Sequence, residues 1–144
     1  MYDLIGDIHG HATELKQLLE KLGYTLEEDI YRHPEREVIF LGDFIDRGPE
    51  ILEVLQLVRP MIDSGEAKAV MGNHEFNALA YHTEAPGQPG KHLRKHNRKN
   101  NNQHQDTIDQ LDGEIEDAVE WFRTLPMWRE LQDDDGNPLR IAHA

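Results

Sequence analysis

Short apolar runs alternate with amphipathic segments through the first half of the chain. The runs at residues 2–5, 38–41 and 67–71 have the length and composition of buried strands. Each is bounded by glycine and polar residues, and the segments between them carry helical periodicity. A strand that alternates with a helix in this way predicts a layered α/β fold with a largely parallel sheet.

The two intervening helices have clear apolar faces. The first is predicted from Leu15, Leu18, Leu19 and Leu22, with Gly23 as its C-terminal stop. The second is predicted from Ile51, Leu52, Leu55 and Val58. Pro49 suits the first position of that helix, and Pro60 is expected to end or bend it. A short strand is also expected around Ile30 and Tyr31.

The second half of the chain begins with a polar, basic segment. Residues 86–90 are rich in proline and glycine, and five basic residues follow with no acid among them: Lys91, Arg94, Lys95, Arg98 and Lys99. We therefore predict a single domain over 1–144 with a flap or insertion at about 82–111. The histidines of this segment, His82, His92, His96 and His104, are expected to lie in a solvated loop rather than in a metal site.

Apolar periodicity returns after residue 112. A helix is predicted from Ile115, Ala118, Val119, Phe122 and Leu125, and Pro126 should end it. Residues 127–131 and 138–142 flank an Asp-Asp-Asp-Gly-Asn turn, which predicts an antiparallel hairpin. Trp121 and Trp128 are both expected in the core.

Composition narrows the possible partners and compartment. With 15 basic and 28 acidic residues the net charge is −13, which disfavours nucleic acid and anionic membranes as partners. The chain has no cysteine and no apolar run near membrane-spanning length, and its first residues do not resemble a signal peptide. A cytoplasmic location is the expectation.

Three glycine-flanked motifs follow the three predicted strands. They are Gly-Asp-Ile-His-Gly at 6–10, Gly-Asp-Phe-Ile-Asp-Arg-Gly at 42–48 and Gly-Asn-His-Glu at 72–75. Oxygen and imidazole ligands at the carboxyl ends of successive strands are typical of a two-metal hydrolytic centre. Turn chemistry alone explains single Asp-Gly pairs, but it does not demand this linked set.

The motifs divide into metal ligands and a second set. Asp7 and His9, two residues apart, would face the same way on an extended strand end and grip one cation. Asp43 is a potential bridge between two metals, and Asn73 offers a carbonyl oxygen to the second. Such ligands suit manganese, iron, zinc or nickel.

The second set carries the proton and phosphate chemistry. His74 would protonate the leaving group, with Asp46 orienting its ring, and Arg47 would bind phosphate oxygens. Glu75 is expected to be structural. Together these residues predict in-line attack on phosphorus by a metal-bridging hydroxide.

These motifs resemble the calcineurin-like metallophosphoesterases, in the branch with bacterial Ser/Thr phosphatases and diadenosine tetraphosphatases. The resemblance implies a β-sandwich flanked by helices and two divalent transition metals, with manganese favoured. It also implies that Asp7, His9 and Asp43 bind the first metal and that Asp43 and Asn73 bind the second. His143, in a His-Ala pair after an apolar run, resembles another ligand of the second metal.

The resemblance also implies family features that these 144 residues do not contain. A final histidine ligand, a second phosphate-binding arginine and much of the second sheet are expected beyond Ala144. The 144-residue form is therefore expected to bind its second metal weakly and to turn over slowly. The predicted function is hydrolysis of phosphomonoesters or phosphoanhydrides, with a phosphoprotein or a nucleotide as substrate. The alternative is a catalytically impaired fragment that acts as a metal-binding or regulatory module.

Overall fold

A computed structural model describes all residues from Met1 to Ala144. It contains seven strands and five helices. The strands are β1 (Tyr2–Ile5), β2 (Thr25–Glu27), β3 (Ile30–Arg32), β4 (Glu37–Phe40), β5 (Ala67–Ala69), β6 (Trp128–Gln132) and β7 (Pro138–Ala142). The helices are α1 (Ala12–Lys21), α2 (Ile51–Asp63), α3 (Asn73–His82), α4 (Arg98–Gln110) and α5 (Ile115–Phe122).

The three predicted strands form a parallel sheet in the order β1-β4-β5. Strand β4 lies in the middle, and Val38, Ile39 and Phe40 are completely buried because both of its faces are covered. Val38 and Phe40 belong to the main core, which also contains the apolar faces of α1, α2 and α5. The parallel arrangement brings the carboxyl ends of all three strands to one edge of the sheet.

The β6–β7 hairpin covers the opposite face of this sheet. Ile141 of β7 packs with Ile39 and Val70 in a second, smaller apolar cluster. The backbone N–H of Met71 donates to the carbonyl of Pro126 at 2.8 Å, which ties the hairpin to the chain beyond β5. The protein is thus layered as helices, sheet and hairpin, and β7 ends close to the carboxyl edge of the sheet.

Several predicted elements are confirmed. The α1, α2 and α5 faces are largely buried, β3 pairs with β2, and β6 pairs with β7 in an antiparallel hairpin. None of the five helices combines the length and the apolar character that crossing a membrane requires.

Other predictions were wrong in their local detail. Helix α2 begins at Ile51 rather than at Pro49, and Pro60 lies inside it. Pro60 removes one N–H, but the helix continues because Met61 in the same turn is completely buried in the core. Trp128 is 60% exposed, because it lies on the outer side of the first strand of the hairpin.

The polar segment contains a helix that was not predicted. Residues 98–110 form α4, and its inner side chains His104 and Thr107 are buried. The expectation of a solvated loop is therefore wrong for this part of the segment. Its apolar content is too low for hydrophobic periodicity to reveal the helix, which packs through polar side chains instead.

Candidate active site

The first two motifs form loops just beyond the carboxyl ends of β1 and β4, and the third begins helix α3 just beyond β5. The candidate site residues of the first two motifs adopt left-handed backbone conformations, with positive φ at Asp7 (55°), His9 (43°), Asp43 (56°), Asp46 (65°) and Arg47 (74°). Non-glycine residues rarely adopt this conformation, and it persists where surrounding structure imposes it, often at functional sites. Asp7 and His9 therefore lie in a turn, not on the extended strand end expected from sequence.

Glycines allow these loops to lie against one another. A Cβ atom at Gly42 would lie 2.1 Å from the Gly72 nitrogen, and one at Gly48 would lie 2.1 Å from the His9 carbonyl oxygen. The first two loops are also joined by backbone hydrogen bonds from His9 to Asp43 and from Gly10 to Phe44, both 2.9 Å. The three motifs consequently behave as one packed unit.

Asp43 lies at the centre of the site and is buried. Its Oδ1 accepts a hydrogen bond from the backbone N–H of His74 at 2.9 Å, at the N-terminus of α3. Its Oδ2 lies 3.7 Å from His9 Nε2 and 3.4 Å from His143 Nε2. One carboxylate thus faces imidazoles from two different parts of the chain.

The tautomers of His9 and His143 follow from their backbone contacts. His9 Nδ1 lies 2.8 Å from the Ile45 carbonyl oxygen, and His143 Nδ1 lies 2.7 Å from that of Leu41. Because a carbonyl only accepts, each Nδ1 carries the hydrogen, and in the corresponding neutral tautomer the lone pair lies on Nε2.

Hydrogen-bond acceptors therefore face one another at this point. His143 Nε2 lies 2.9 Å from Asn73 Oδ1, and the carboxylate of Asp43 is nearby. In this arrangement Asn73 Oδ1, His143 Nε2 and the Asp43 carboxylate are all acceptors, and a cation among them would satisfy all three. The backbone hydrogen bonds to Nδ1 are those that orient histidine ligands in metal sites. The donor set present fits divalent cations that prefer oxygen and imidazole nitrogen.

Two overlapping groups of ligand atoms meet this description. The first contains Asp7, Asp43 and His143, and the second contains His9, Asp43 and His74; within each group the ligand atoms lie within 4.8 Å of one another. Asp43 is common to both, as a bridging ligand would be. The grouping differs from the expected one, because Asp7 lies with His143 rather than with His9.

His74, which belongs to the second group, also forms a buried pair with Asp46. His74 Nδ1 donates to Asp46 Oδ2 at 2.6 Å, which leaves Nε2 outside this hydrogen bond. The hydrogen bond to Asp46 raises the pKa of His74 above its ordinary value, against the opposing effect of burial. A protonated imidazole at this position is able to donate a proton.

Asp46 remains ionised although it is buried. Burial opposes its charge, but hydrogen bonds from His104, His74 and Thr107 outweigh that effect and hold its pKa well below the usual range. His104 and Thr107 belong to α4, and sequence analysis did not identify either as part of this site. Their three-residue spacing on one helix face was the only available signal.

Glu75 accepts hydrogen bonds from the backbone of the second and third motifs. It is completely buried, and its carboxylate accepts hydrogen bonds from the backbone N–H groups of Asp43 (2.8 Å), Phe44 (2.7 Å) and Gly72 (3.0 Å). Burial raises its pKa, whereas these hydrogen bonds act in the opposite direction. Glu75 thus joins the second and third motifs, consistent with the structural role expected for it.

Arg47 lies at the rim of the site. It is exposed and has no salt-bridge partner, so its guanidinium is available to an anionic ligand. Asp46 and Arg47 are consecutive residues, and both have a left-handed backbone. The two side chains therefore extend from one strained turn.

Comparison with known proteins agrees with this geometry. The family model of the calcineurin-like phosphoesterases matches residues 2–142, so the chain belongs to this family of hydrolases. It is 31% identical over 144 residues to the asymmetrical bis(5'-nucleosyl)-tetraphosphatase PrpE of Bacillus subtilis, covering 99% of this chain and 57% of that protein. It is 47% identical over 74 residues to the protein of the same name from Halalkalibacterium halodurans, covering 51% and 30% of the two chains.

Solved structures show the same fold. The metallophosphoesterase from Sphaerobacter thermophilus aligns with a TM-score of 0.56 at 24% identity, over 92% of this chain and 43% of that one. The chain therefore spans only about half, or less, of the proteins it matches.

Proposed function

We propose that this protein is a divalent-metal-dependent phosphoesterase that hydrolyses phosphoanhydride bonds of a nucleotide substrate, with dinucleoside polyphosphates as the substrate class. The observation that supports this most strongly is the carboxylate of Asp43, which is common to both groups of potential ligands and lies close to His74, the partner of Asp46.

Two bound cations are expected at these groups, with manganese favoured, held by Asp7, His9, Asp43, Asn73 and His143. When bound, divalent metals lower the pKa of a coordinated water and neutralise charge on the phosphoryl group.

The chain's own residues supply the remaining steps. His74 donates the proton of Nε2 to the oxygen of the departing group, so that this group leaves without a full negative charge. Asp46 holds the ring of His74 through Nδ1 and favours its protonated form. Arg47 binds phosphate oxygens at the rim and orients the substrate.

The choice of a nucleotide as the substrate is supported by the names of the relatives. Two relatives that are named tetraphosphatases match this chain, one over 74 residues and the Bacillus subtilis protein over 144 residues. The global charge of −13 does not oppose a phosphorylated substrate, because bound cations reverse the local field.

The test compares diadenosine tetraphosphate with a phosphoserine peptide, each supplied with Mn²⁺. We expect nucleotide products from the former at a rate well above that of phosphate release from the peptide. His74→Ala should lower the nucleotide rate by about 10²- to 10⁴-fold, because it removes a general acid. Faster hydrolysis of the peptide would reassign the substrate, and equal rates for the wild type and His74→Ala would refute the acid role.

A further inference from the structure

The side chain of Asp46 is anchored from two directions. Its Oδ2 accepts from His74, and its Oδ1 accepts from His104 Nδ1 at 2.9 Å and from Thr107 Oγ1 at 2.6 Å. The backbone N–H of Asp46 donates to the same Thr107 hydroxyl at 2.9 Å. All four side chains are buried, so every one of these hydrogen bonds is shielded from water.

The anchor comes from a distant part of the chain. His104 and Thr107 lie on α4, 58 and 61 residues beyond Asp46. The backbone of Asp46 is left-handed and belongs to no helix or strand, so regular structure does not hold its carboxylate. The final torsion of an aspartate side chain is soft, and α4 fixes it by engaging Oδ1.

The carboxylate of Asp46 sets the direction of donation along a chain of two histidines. His104 Nδ1 faces a carboxylate and therefore carries a hydrogen, and its Nε2 lies 3.0 Å from His82 Nε2. When both rings are neutral, His82 donates to His104, which in turn donates to Asp46. Burial, reinforced by the neighbouring imidazoles, lowers the pKa of His82 to about 4, which keeps that ring neutral near pH 7.

We infer that His104, assisted by Thr107, is a positioning residue for the proton donor His74 and acts through the carboxylate of Asp46. The inference rests on the proposed function, since it assigns His104 to the same acid-catalysed step. His104 itself contacts only Asp46 and His82 through its ring nitrogens, so it does not touch substrate.

This role has a kinetic signature that a purely structural role lacks. A poor leaving group needs a well-aligned proton donor, whereas a good leaving group departs readily without one. Misalignment of His74 should therefore slow phenyl phosphate, whose leaving group is poor, far more than 4-nitrophenyl phosphate. Loss of folded protein would slow both substrates by the same factor.

Two substitutions of His104 distinguish the effect of losing its hydrogen bond to Asp46 from the effect of losing the volume of its ring. His104→Leu removes the donor and keeps an apolar side chain, whereas His104→Asn retains an N–H donor close to the position of Nδ1. His92→Leu is the matched control, because His92 belongs to the same segment and stacks on His96 without contacting Asp46.

In His104→Leu we expect the ratio of kcat for phenyl phosphate to kcat for 4-nitrophenyl phosphate to fall by about tenfold. The ratio should be restored largely in His104→Asn and unchanged in His92→Leu. An unchanged ratio in His104→Leu, or an equal fall in His104→Asn, would overturn the inference. If His104→Leu does not fold, two variants of Thr107 provide the same comparison. Thr107→Val removes the hydroxyl that donates to Asp46, and Thr107→Ser keeps it.

A second readout does not depend on turnover. The Nδ1–H proton of His74 should give a far-downfield NMR resonance because it lies in a short, buried hydrogen bond. We expect this resonance to shift or broaden in His104→Leu and to persist in His104→Asn; an unaltered resonance in His104→Leu contradicts the inference. Failure of the wild type to hydrolyse diadenosine tetraphosphate and both esters would refute the proposed function alone, since the NMR comparison still tests the role of His104.

Discussion

At the scale of single residues, the site depends on buried charges whose partners are backbone groups or imidazoles. Glu75 illustrates the first kind, because its carboxylate has no cation beside it and is satisfied by three N–H donors from two loops. Asp46 illustrates the second kind, with two imidazoles and one hydroxyl. Such groups are costly to bury and contribute most when every hydrogen bond is made.

Glu75→Gln should therefore destabilise the protein strongly. The amide keeps one acceptor oxygen but turns an N–H₂ group toward backbone donors, and it loses charge-assisted hydrogen bonds. We expect a loss of about 3 kcal/mol in the free energy of unfolding by urea denaturation. Glu116→Gln, at an exposed position on α5, should change it by about 0.5 kcal/mol or less. Equal effects of the two substitutions would contradict the role assigned to Glu75.

His82 predicts a pH dependence of stability. Its pKa is lowered from 6.5 to about 4 in the folded protein, first by burial and then by the nearby imidazoles of His104, His96 and His92. Between these values the unfolded chain binds a proton that the folded protein does not, so acidification favours unfolding. The contribution of His82 is present above pH 6.5 and is lost as the pH falls toward 4.

The measurement is urea denaturation of the wild type and His82→Gln across this range. The wild type should lose more stability than the variant on acidification, while their difference stays constant above neutral pH. Parallel curves down to pH 4 would show that His82 does not titrate as described.

At the scale of elements, the three motif loops pack because glycine occupies their contact points. Gly42 and Gly65 have nearly the same φ, 85° and 84°, yet a Cβ at Gly42 meets the backbone of Gly72 whereas one at Gly65 meets nothing within 4 Å. A substitution at Gly65 therefore measures the cost of backbone strain alone. A substitution at Gly42 adds the cost of a steric clash with Gly72.

Gly65→Ala should cost about 1 kcal/mol, the strain of a left-handed alanine. Gly42→Ala should cost at least about 2 kcal/mol more, because it also forces the second and third loops apart. Denaturation of both variants tests this directly. Equal losses would mean that the loops tolerate separation without cost.

The elements also show what the sequence could and could not predict. The strands β1, β4 and β5 and their motifs were predictable, because each couples an apolar run to adjacent glycine and ligand residues. Helix α4 was not, since its packing rests on His104 and Thr107, whose partner Asp46 is distant in sequence. Trp128 was misplaced because a strand at the surface leaves one of its faces exposed.

At the scale of the whole molecule, two layers cover the parallel sheet and bring residues from both ends of the chain together. The loop after β1 supplies Asp7 and His9, and His143 follows β7 at the other end of the sequence. The hairpin is therefore part of the site as well as of the core, since His143 contacts both Leu41 and Asn73. His143 remains with the other ligands only while the hairpin stays on the sheet.

The most direct test of the account is metal-dependent hydrolysis by protein that has been stripped of metal with a chelator. Adding Mn²⁺ should restore hydrolysis of 4-nitrophenyl phosphate in the wild type, measured by release of 4-nitrophenolate. Asp43→Asn should abolish this restoration, because it weakens the ligand common to both groups. A rate that is the same with and without added cation, or that survives Asp43→Asn, would contradict a metal-dependent phosphoesterase site centred on Asp43.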